Sequence, residues 1–110
     1  MSTHAQIGIL DSDGSVKAVS LHFDGHPEYA GLTLATHYNS PELANELIQL
    51  GEVSMLSPTI EHSIFYGRDR HESDTELQCY SSIQEWTEHT EADTDYFYLF
   101  TGNCWIAGNR

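Results

Sequence analysis

The chain has 110 residues, which fits a single domain over residues 1–110 and leaves no room for a second. Its seventeen acidic and four basic residues give a formal charge of −13. Such a surface repels DNA, RNA and anionic membranes, so none of these is expected as a direct partner. Hydrophobic residues make up 39% of the chain and recur along it, which argues against extensive disorder and allows a core without metal or disulfide support.

The first half of the chain predicts a β-hairpin followed by helices. Residues 5–10 and 16–23 carry apolar side chains at alternate positions, as half-buried strands do, and the intervening residues 11–14 (Asp-Ser-Asp-Gly) are typical of a turn. Residues 29–38 predict a short helix. A clearer helix is predicted over residues 40–51, which begin with a serine N-cap and end with a glycine. Its apolar stripe is formed by Leu43, Leu47 and Leu50.

The second half predicts shorter elements. Residues 52–59 look irregular, and Ser82 is expected to cap a helix through His89 that turns Ile83 and Trp86 inward. The other elements are, in order, a strand at 62–67, a polar segment at 68–76, a strand at 77–80, a polar loop at 91–95 and a hairpin at 96–100 and 104–107. This order predicts an α+β fold, with a mostly antiparallel sheet of about 4–6 strands and two or three helices packed on one face.

The two cysteines do not form a disulfide framework in a chain that can build its own core. Cys79 and Cys104 each lie beside an aromatic residue, so both are interpreted as small buried hydrophobic side chains. The chain shows no N-terminal signal pattern and no apolar run of about 20 residues, which predicts a cytoplasmic protein.

Four short motifs occur in a fixed order along the chain. They are Asp24-Gly-His-Pro-Glu28, Leu47-Ile-x-Leu-Gly51, Tyr66-Gly-Arg-Asp-Arg70, and Tyr98-Leu-Phe100 before Trp105. Over about residues 7–105 this string resembles a family of small proteins encoded by tailed bacteriophages and prophages, although the family carries an aromatic residue where this chain has His26. The resemblance implies a phage origin and a role as an early protein that acts on host machinery.

One local cluster contains residue types that bind metals. His22, Asp24 and His26 would share a face if the strand continued through them, and imidazole with carboxylate suits zinc or iron. Asp24-Gly25 is typical of a turn, however, and Pro27 enforces a bend. We therefore predict no metal and no other cofactor.

The Tyr66–Arg70 segment holds two of the four basic residues. Arg68 and Arg70 are expected to pair with internal carboxylates, with Asp24 or Glu28 as candidate partners. The alternative is a pocket for a small anionic, nucleotide-like ligand formed by Tyr66, Arg68 and Arg70 with Asp24 and Glu28. The chain lacks the sequence signatures of nucleophilic elbows, phosphate-binding loops and zinc proteases, so we predict that it is not an enzyme.

Nine of the seventeen acids lie within residues 69–95. They are Asp69, Glu72, Asp74, Glu76, Glu85, Glu88, Glu91, Asp93 and Asp95. Spread evenly over the roughly 6,100 Å² expected for this mass, −13 gives one charge per about 470 Å². B-DNA carries one charge on the order of every 100 Å², so only clustering on one face could imitate it.

The leading hypothesis is that these nine acids bind a host protein with a basic, nucleic-acid-binding surface and inhibit it, as an anti-CRISPR protein or other DNA mimic does. The second hypothesis is a binder or sponge for the small anionic ligand described above. Acidic docking should weaken steeply with salt, whereas a buried pocket should respond less. Either a monomer or a homodimer is compatible with the sequence.

Overall fold

The computed structural model of the chain describes residues 3–109. Within that range the chain forms seven strands and four α-helices. They are β1 (His4–Leu10), β2 (Val16–Leu21), α1 (Leu32–His37), α2 (Pro41–Gln49), β3 (Val53–Met55), β4 (Ile64–Phe65), α3 (Tyr66–Arg70), β5 (Gln78–Tyr80), α4 (Ile83–His89), β6 (Thr94–Phe100) and β7 (Trp105–Asn109). A π-helical turn over Pro27–Gly31 leads directly into α1. The predicted α+β class is confirmed.

All seven strands of the described range belong to one mixed sheet with the order β4-β3-β2-β1-β6-β7, and β5 also pairs with β2. The β1–β2, β2–β5, β3–β4 and β6–β7 pairs are antiparallel, whereas β1–β6 and β2–β3 are parallel. The sheet is therefore mostly antiparallel, as predicted, and contains one strand more than the expected range. The central strands β1 and β2 form the predicted N-terminal hairpin.

Apolar residues line both faces of this sheet. One face carries the larger core, in which Ile7, Val19 and Leu21 pack with buried residues of α1 and α2. The opposite face carries a smaller cluster formed by Val16, Ala18, Trp86, Phe97 and Leu99. Because Trp86 belongs to α4, the prediction of helices on one face describes α1 and α2 but not α4. The alternation in β2 explains the difference, since Val16 and Ala18 point away from Val19 and Leu21.

The predicted caps of α2 and α4 are present. The Ser40 hydroxyl accepts a hydrogen bond from the Leu43 amide, and the Ser82 hydroxyl accepts one from the Glu85 amide. The apolar stripe of α2 lies one position away from the prediction, because Ala44, Leu47 and Ile48 are buried whereas Leu43 is exposed.

Three further predictions are corrected by the structure. Residues 52–59 contain β3, and the Tyr66–Arg70 segment is a short helix rather than the end of a strand and a loop. Cys79 and Cys104 are both exposed. The neighbouring aromatic residue misled the interpretation of Cys79, because successive side chains of a strand point to opposite faces.

Candidate functional site

The face of the sheet that carries α4 is only partly covered, and α4 lies across its middle. The buried indole of Trp86 fixes the helix there: its N–H donates a 3.1 Å hydrogen bond to Oε1 of Gln6, and its ring meets Phe97 edge-on with centroids 5.1 Å apart. A side chain at Gly8 of β1 would begin 3.1 Å from the same ring. The absence of a side chain at Gly8 thus lets the helix approach the central strand closely.

On the β2 and β5 side of α4 there is a cavity of about 300 Å³, which we call the acidic cavity. Carboxylates from three separate stretches of chain line it: Glu52 before β3, Asp74 and Glu76 before β5, and Glu91 after α4. Its other lining residues include Gln6, Gln78, Tyr80 and His89. The fold therefore gathers acidic groups that are up to 39 residues apart in the chain.

The carboxylates of this region interact with one another. Burial raises the pKa of Glu52, and the nearby charges of Glu91 and Glu72 raise it further, against the opposing effect of His22. The pKa of Tyr80 is raised by burial and then by Glu85 and Glu91. Glu72 and Glu85 thus extend the negative potential beyond the residues that line the acidic cavity.

A group of aromatic and imidazole rings adjoins the acidic cavity at the end of the sheet where β1 begins and β2 ends. Nε2 of His22 lies 3.9 Å from Oε2 of Glu52, which is beyond hydrogen-bond distance. The ring of His22 meets Tyr66 and His4 edge-on, with centroids 4.9 and 5.7 Å apart. His4 in turn lies 3.7 Å from a carboxylate oxygen of Asp93. Protonation of either histidine would place a positive charge against a carboxylate.

The nine acidic residues between positions 69 and 95 are divided among several environments. Asp74, Glu76 and Glu91 line the acidic cavity, and Glu72 and Glu85 interact with its groups. The other four lie elsewhere: Glu88 accepts a hydrogen bond from Gln84, Asp93 and Asp95 lie beside His4, and Asp69 is paired with Arg68.

Glu52 is a site residue that sequence reasoning missed. It follows Gly51, which has φ of 85° and lies just beyond the C-cap of α2, and its amide donates a 2.8 Å hydrogen bond to the Thr75 carbonyl. This bond brings Glu52 to the segment that carries Asp74 and Glu76. No local pattern reveals such a contact, although the glycine cap marks a change of chain direction just before Glu52.

Glu85 has a structural role besides its charge. Its carboxylate accepts hydrogen bonds from the amide and the hydroxyl of Ser81, at 3.0 and 2.9 Å. These bonds lower the pKa of Glu85 and hold the N-terminal turn of α4. Replacing Glu85 would therefore disturb α4 as well as the surface charge.

Arg68 is committed to internal partners, as predicted, but neither Asp24 nor Glu28 is among them. Its guanidinium forms a bidentate salt bridge with Asp69, in which both N–O distances are 3.0 Å. It also donates hydrogen bonds to the carbonyls of Ile60 and Ser63. The hydrogen bond from Arg68, followed by one from the Phe65 amide, lowers the pKa of Asp69.

The other members of the predicted anion pocket do not join Arg68 in one pocket. The guanidinium of Arg70 lies over the ring of Tyr66, 5.2 Å from its centre. Asp24 occupies a turn with φ of 56°, and Glu28 lies 3.1 Å from Nδ1 of His26. None of these residues lines the acidic cavity.

The candidate metal ligands do not converge either. His22 faces Glu52 and Tyr66, whereas His26 faces Glu28. Across residues 3–109, no three His, Cys, Asp or Glu side chains are arranged to hold a metal ion. None of the helices in this range has the length and hydrophobicity needed to cross a membrane.

On the opposite side of α4 lies a second depression of about 420 Å³, which we call the apolar groove. Phe97 and Leu99 of β6 form its floor, and its walls are α4 on one side and β7 on the other. Two isoleucines at its walls are substantially exposed: Ile83 at 43% and Ile106 at 50%. Ile83 was predicted to point inward, but it lies on the side of α4 that faces the groove.

The two depressions flank one helix on one face and differ in chemistry. Carboxylates of the acidic cavity attract cationic groups, and the apolar groove can bury hydrophobic side chains.

Comparisons of the chain with protein-family models, with curated proteins and with solved structures found no match.

Proposed function

We propose that the chain is a phage-encoded, non-enzymatic binding protein that inhibits a host defence factor in the cytoplasm of the infected bacterium. Its acidic face occupies a basic surface on that factor which otherwise holds DNA or RNA, in the manner of an anti-CRISPR protein. The observation that carries this proposal is the convergence of Glu52, Asp74, Glu76 and Glu91 on the acidic cavity. The phage origin comes from the resemblance of the sequence motifs.

Clustering is the property that charge mimicry needs. The accessible surface is 5974 Å², so −13 spread evenly gives one charge per about 460 Å². That density is roughly a quarter of the value for B-DNA. Four carboxylates around one cavity, with Glu72 and Glu85 close to it, raise the local density well above this average. Burial is the main cause of the raised pKa of Glu52, and the charges of Glu91 and Glu72 add to it.

The alternative of a small anionic ligand receives no comparable support. Arg68 directs its donors to Asp69 and to the carbonyls of Ile60 and Ser63. An anion would have to displace these contacts, and it would meet the repulsion of a chain with a charge of −13. Binding to a basic protein meets neither obstacle.

The test is a comparison of two charge-neutralised variants with equal net charge. The first combines Asp74→Asn, Glu76→Gln and Glu91→Gln; asparagine is chosen because residue 74 has φ of 60°. The matched control combines three exposed acids outside the acidic cavity, by the substitutions Glu28→Gln, Glu46→Gln and Glu61→Gln. Each variant reduces the formal charge from −13 to −10.

Association rates are measured by surface plasmon resonance against the host protein recovered by affinity capture. We expect the cavity variant to associate about tenfold more slowly at low salt, and the control to change by less than about twofold. The difference should shrink as salt is raised, because screening weakens steering. Equal effects of the two variants would show that only total charge matters, and the proposal would then be abandoned.

A further inference from the structure

We propose that the apolar groove and the free edge of β7 together bind an extended segment of the protein partner, in which apolar and basic residues alternate. The segment adds to the sheet as a strand beside β7. This inference rests on the proposed function for the class of the partner, and it adds the conformation and composition of the segment that is recognised.

The first support is the state of the β7 edge. β7 ends the strand order, and within residues 3–109 its only strand partner is β6. Its outer edge thus presents backbone N–H and C=O groups that are free to pair with another strand. Natural sheets protect such edges with short strands, bulges, proline or charged side chains. β7 is five residues long, pairs with β6 without a register shift, and contains neither a charged residue nor a proline.

The opposite edge of the same sheet is protected in the usual way. β4 is two residues long and runs directly into α3. β5, which pairs with β2, has only three residues, so the strands on this side of the sheet are short whereas β7 is extended. An extended, unprotected edge is the feature used by domains that recognise peptides through strand addition.

The second support is the continuity of this edge with the apolar groove. In the β6–β7 register, Ile106 is opposite Leu99 and Gly108 is opposite Phe97, so these four residues share the face that carries α4. A strand added beside β7 would send every second side chain over that face. Space is available for it, because a Cβ atom at Gly108 would meet no other atom within 4 Å. Apolar side chains at alternate positions of the segment would therefore lie against Ile106 and Gly108.

Charge decides which occupant is favoured. A second copy of the chain would bring another −13 to the interface, so a second copy is disfavoured. A segment that carries lysine or arginine at the positions between its apolar residues is attracted instead. The groove volume of about 420 Å³ falls within the range of roughly 300–1,000 Å³ that is typical of ligand sites.

Defined peptides test the inference without a known partner. Three ten-residue synthetic peptides alternate lysine with valine, lysine with serine, or glutamate with valine. The variant Ile106→Lys places a charge on the exposed edge, and Leu32→Lys, at a residue that is 64% exposed and outside the groove, is the matched control. We expect the lysine–valine peptide to bind, the other two to bind at least about tenfold more weakly, and Ile106→Lys but not Leu32→Lys to cause a similar loss. In the complex, amide exchange should slow at alternate residues of β7, whose N–H groups point to the free edge rather than to β6.

Several results would overturn the inference. If the lysine–valine and lysine–serine peptides bound equally well, charge alone would explain the binding. If the lysine–valine peptide did not bind, an extended segment of this composition would not be the ligand of the groove. A homodimer in sedimentation equilibrium that Ile106→Lys dissociates would assign the groove to a second copy.

The host partner separates this inference from the proposed function. If Ile106→Lys leaves that complex intact while neutralising the acidic cavity weakens it, the inference fails and the proposed function stands. If instead Ile106→Lys weakens that complex and neutralising the acidic cavity does not, the groove is supported and the charge-mimicry proposal is abandoned.

Discussion

Replacing Trp86 by phenylalanine should destabilise the protein by about 2–4 kcal/mol. The substitution removes the indole N–H and leaves Oε1 of Gln6, a residue with 6% exposure, without its 3.1 Å hydrogen bond. An unpaired buried acceptor costs about 1–3 kcal/mol. The smaller ring also leaves part of the Trp86 site empty, which adds on the order of 1 kcal/mol. The sum is a large share of the roughly 5–15 kcal/mol that is typical of a folded domain.

A double-mutant cycle isolates the hydrogen bond from the loss of volume. Gln6→Met removes the acceptor with little change in side-chain size, so the combination with Trp86→Phe should cost about 1–2 kcal/mol less than the sum of the single variants. The control pairs Gln6→Met with Trp105→Phe. The indole of Trp105 donates to the Tyr38 carbonyl on the other face of the sheet, and its effect should therefore be additive.

Urea unfolding followed by circular dichroism measures all of these free energies. Additivity of Gln6→Met and Trp86→Phe within about 0.5 kcal/mol would refute the view that this bond anchors α4. Hydrogen exchange gives an independent readout, because Trp86 is the only buried residue of α4. Amides of α4 should exchange faster in Trp86→Phe, while those of α2 should keep their relative protection.

Three further predictions follow from the described contacts. Arg68→Ala should lower the melting temperature by about 4 °C or more, and Arg70→Ala by much less, because only Arg68 bridges a carboxylate and two carbonyls; equal losses would contradict this reasoning. Burial raises the pKa of Glu52 above its ordinary 4.5, so the folded chain holds that proton more tightly than the unfolded chain does and ionisation reduces stability. Glu52→Gln should thus be more stable than the wild type at pH 7, by less than about 1 kcal/mol. In thermal melts the gain should decrease as the pH falls through the raised pKa of Glu52, and it should vanish below 4.5. A less stable variant at pH 7 would mean that the His22 interaction dominates. A maleimide reagent should label Cys79 and Cys104 in the native protein, and resistance to labelling before urea is added would contradict their exposure.

Local sequence patterns predicted the elements that depend on neighbouring residues. The β1–β2 hairpin follows from period-two alternation and from a turn in which Gly14 has φ of 90°. The helices α2 and α4 follow from Ser40 and Ser82, whose hydroxyls cap the first turns. These interactions span only a few residues, so the sequence contains most of the information that determines them.

The elements that were missed depend on distant partners. β3 pairs with β2 at a single position, Leu21 with Val53. Glu52, which directly precedes β3, is held by the hydrogen bond from its amide to the Thr75 carbonyl. The parallel pairing of β1 with β6 joins residues about 90 positions apart, which no local pattern encodes. α3 was missed because its five residues contain a glycine and no apolar stripe.

The candidate site was predictable only in part. The sequence indicated an acidic segment at residues 69–95, and three of its members, Asp74, Glu76 and Glu91, line the acidic cavity. Asp69, however, is neutralised by its neighbour Arg68. The sequence could not reveal the apolar groove, because Ile106 and Ile83 look like ordinary core residues until the register of β7 and the position of α4 are known.

The placement of α4 connects the acidic cavity with the apolar groove. A helix of seven residues covers only a strip of the sheet, and the contact of Trp86 with Gly8 centres that strip on β1. β2 with β5 on one side, and β6 with β7 on the other, therefore keep open surface on the same face. A partner that crosses α4 can place basic groups over the acidic cavity and apolar groups in the groove at the same time. Since charge sets mainly the association rate and apolar burial the dissociation rate, the two depressions should contribute separately to affinity.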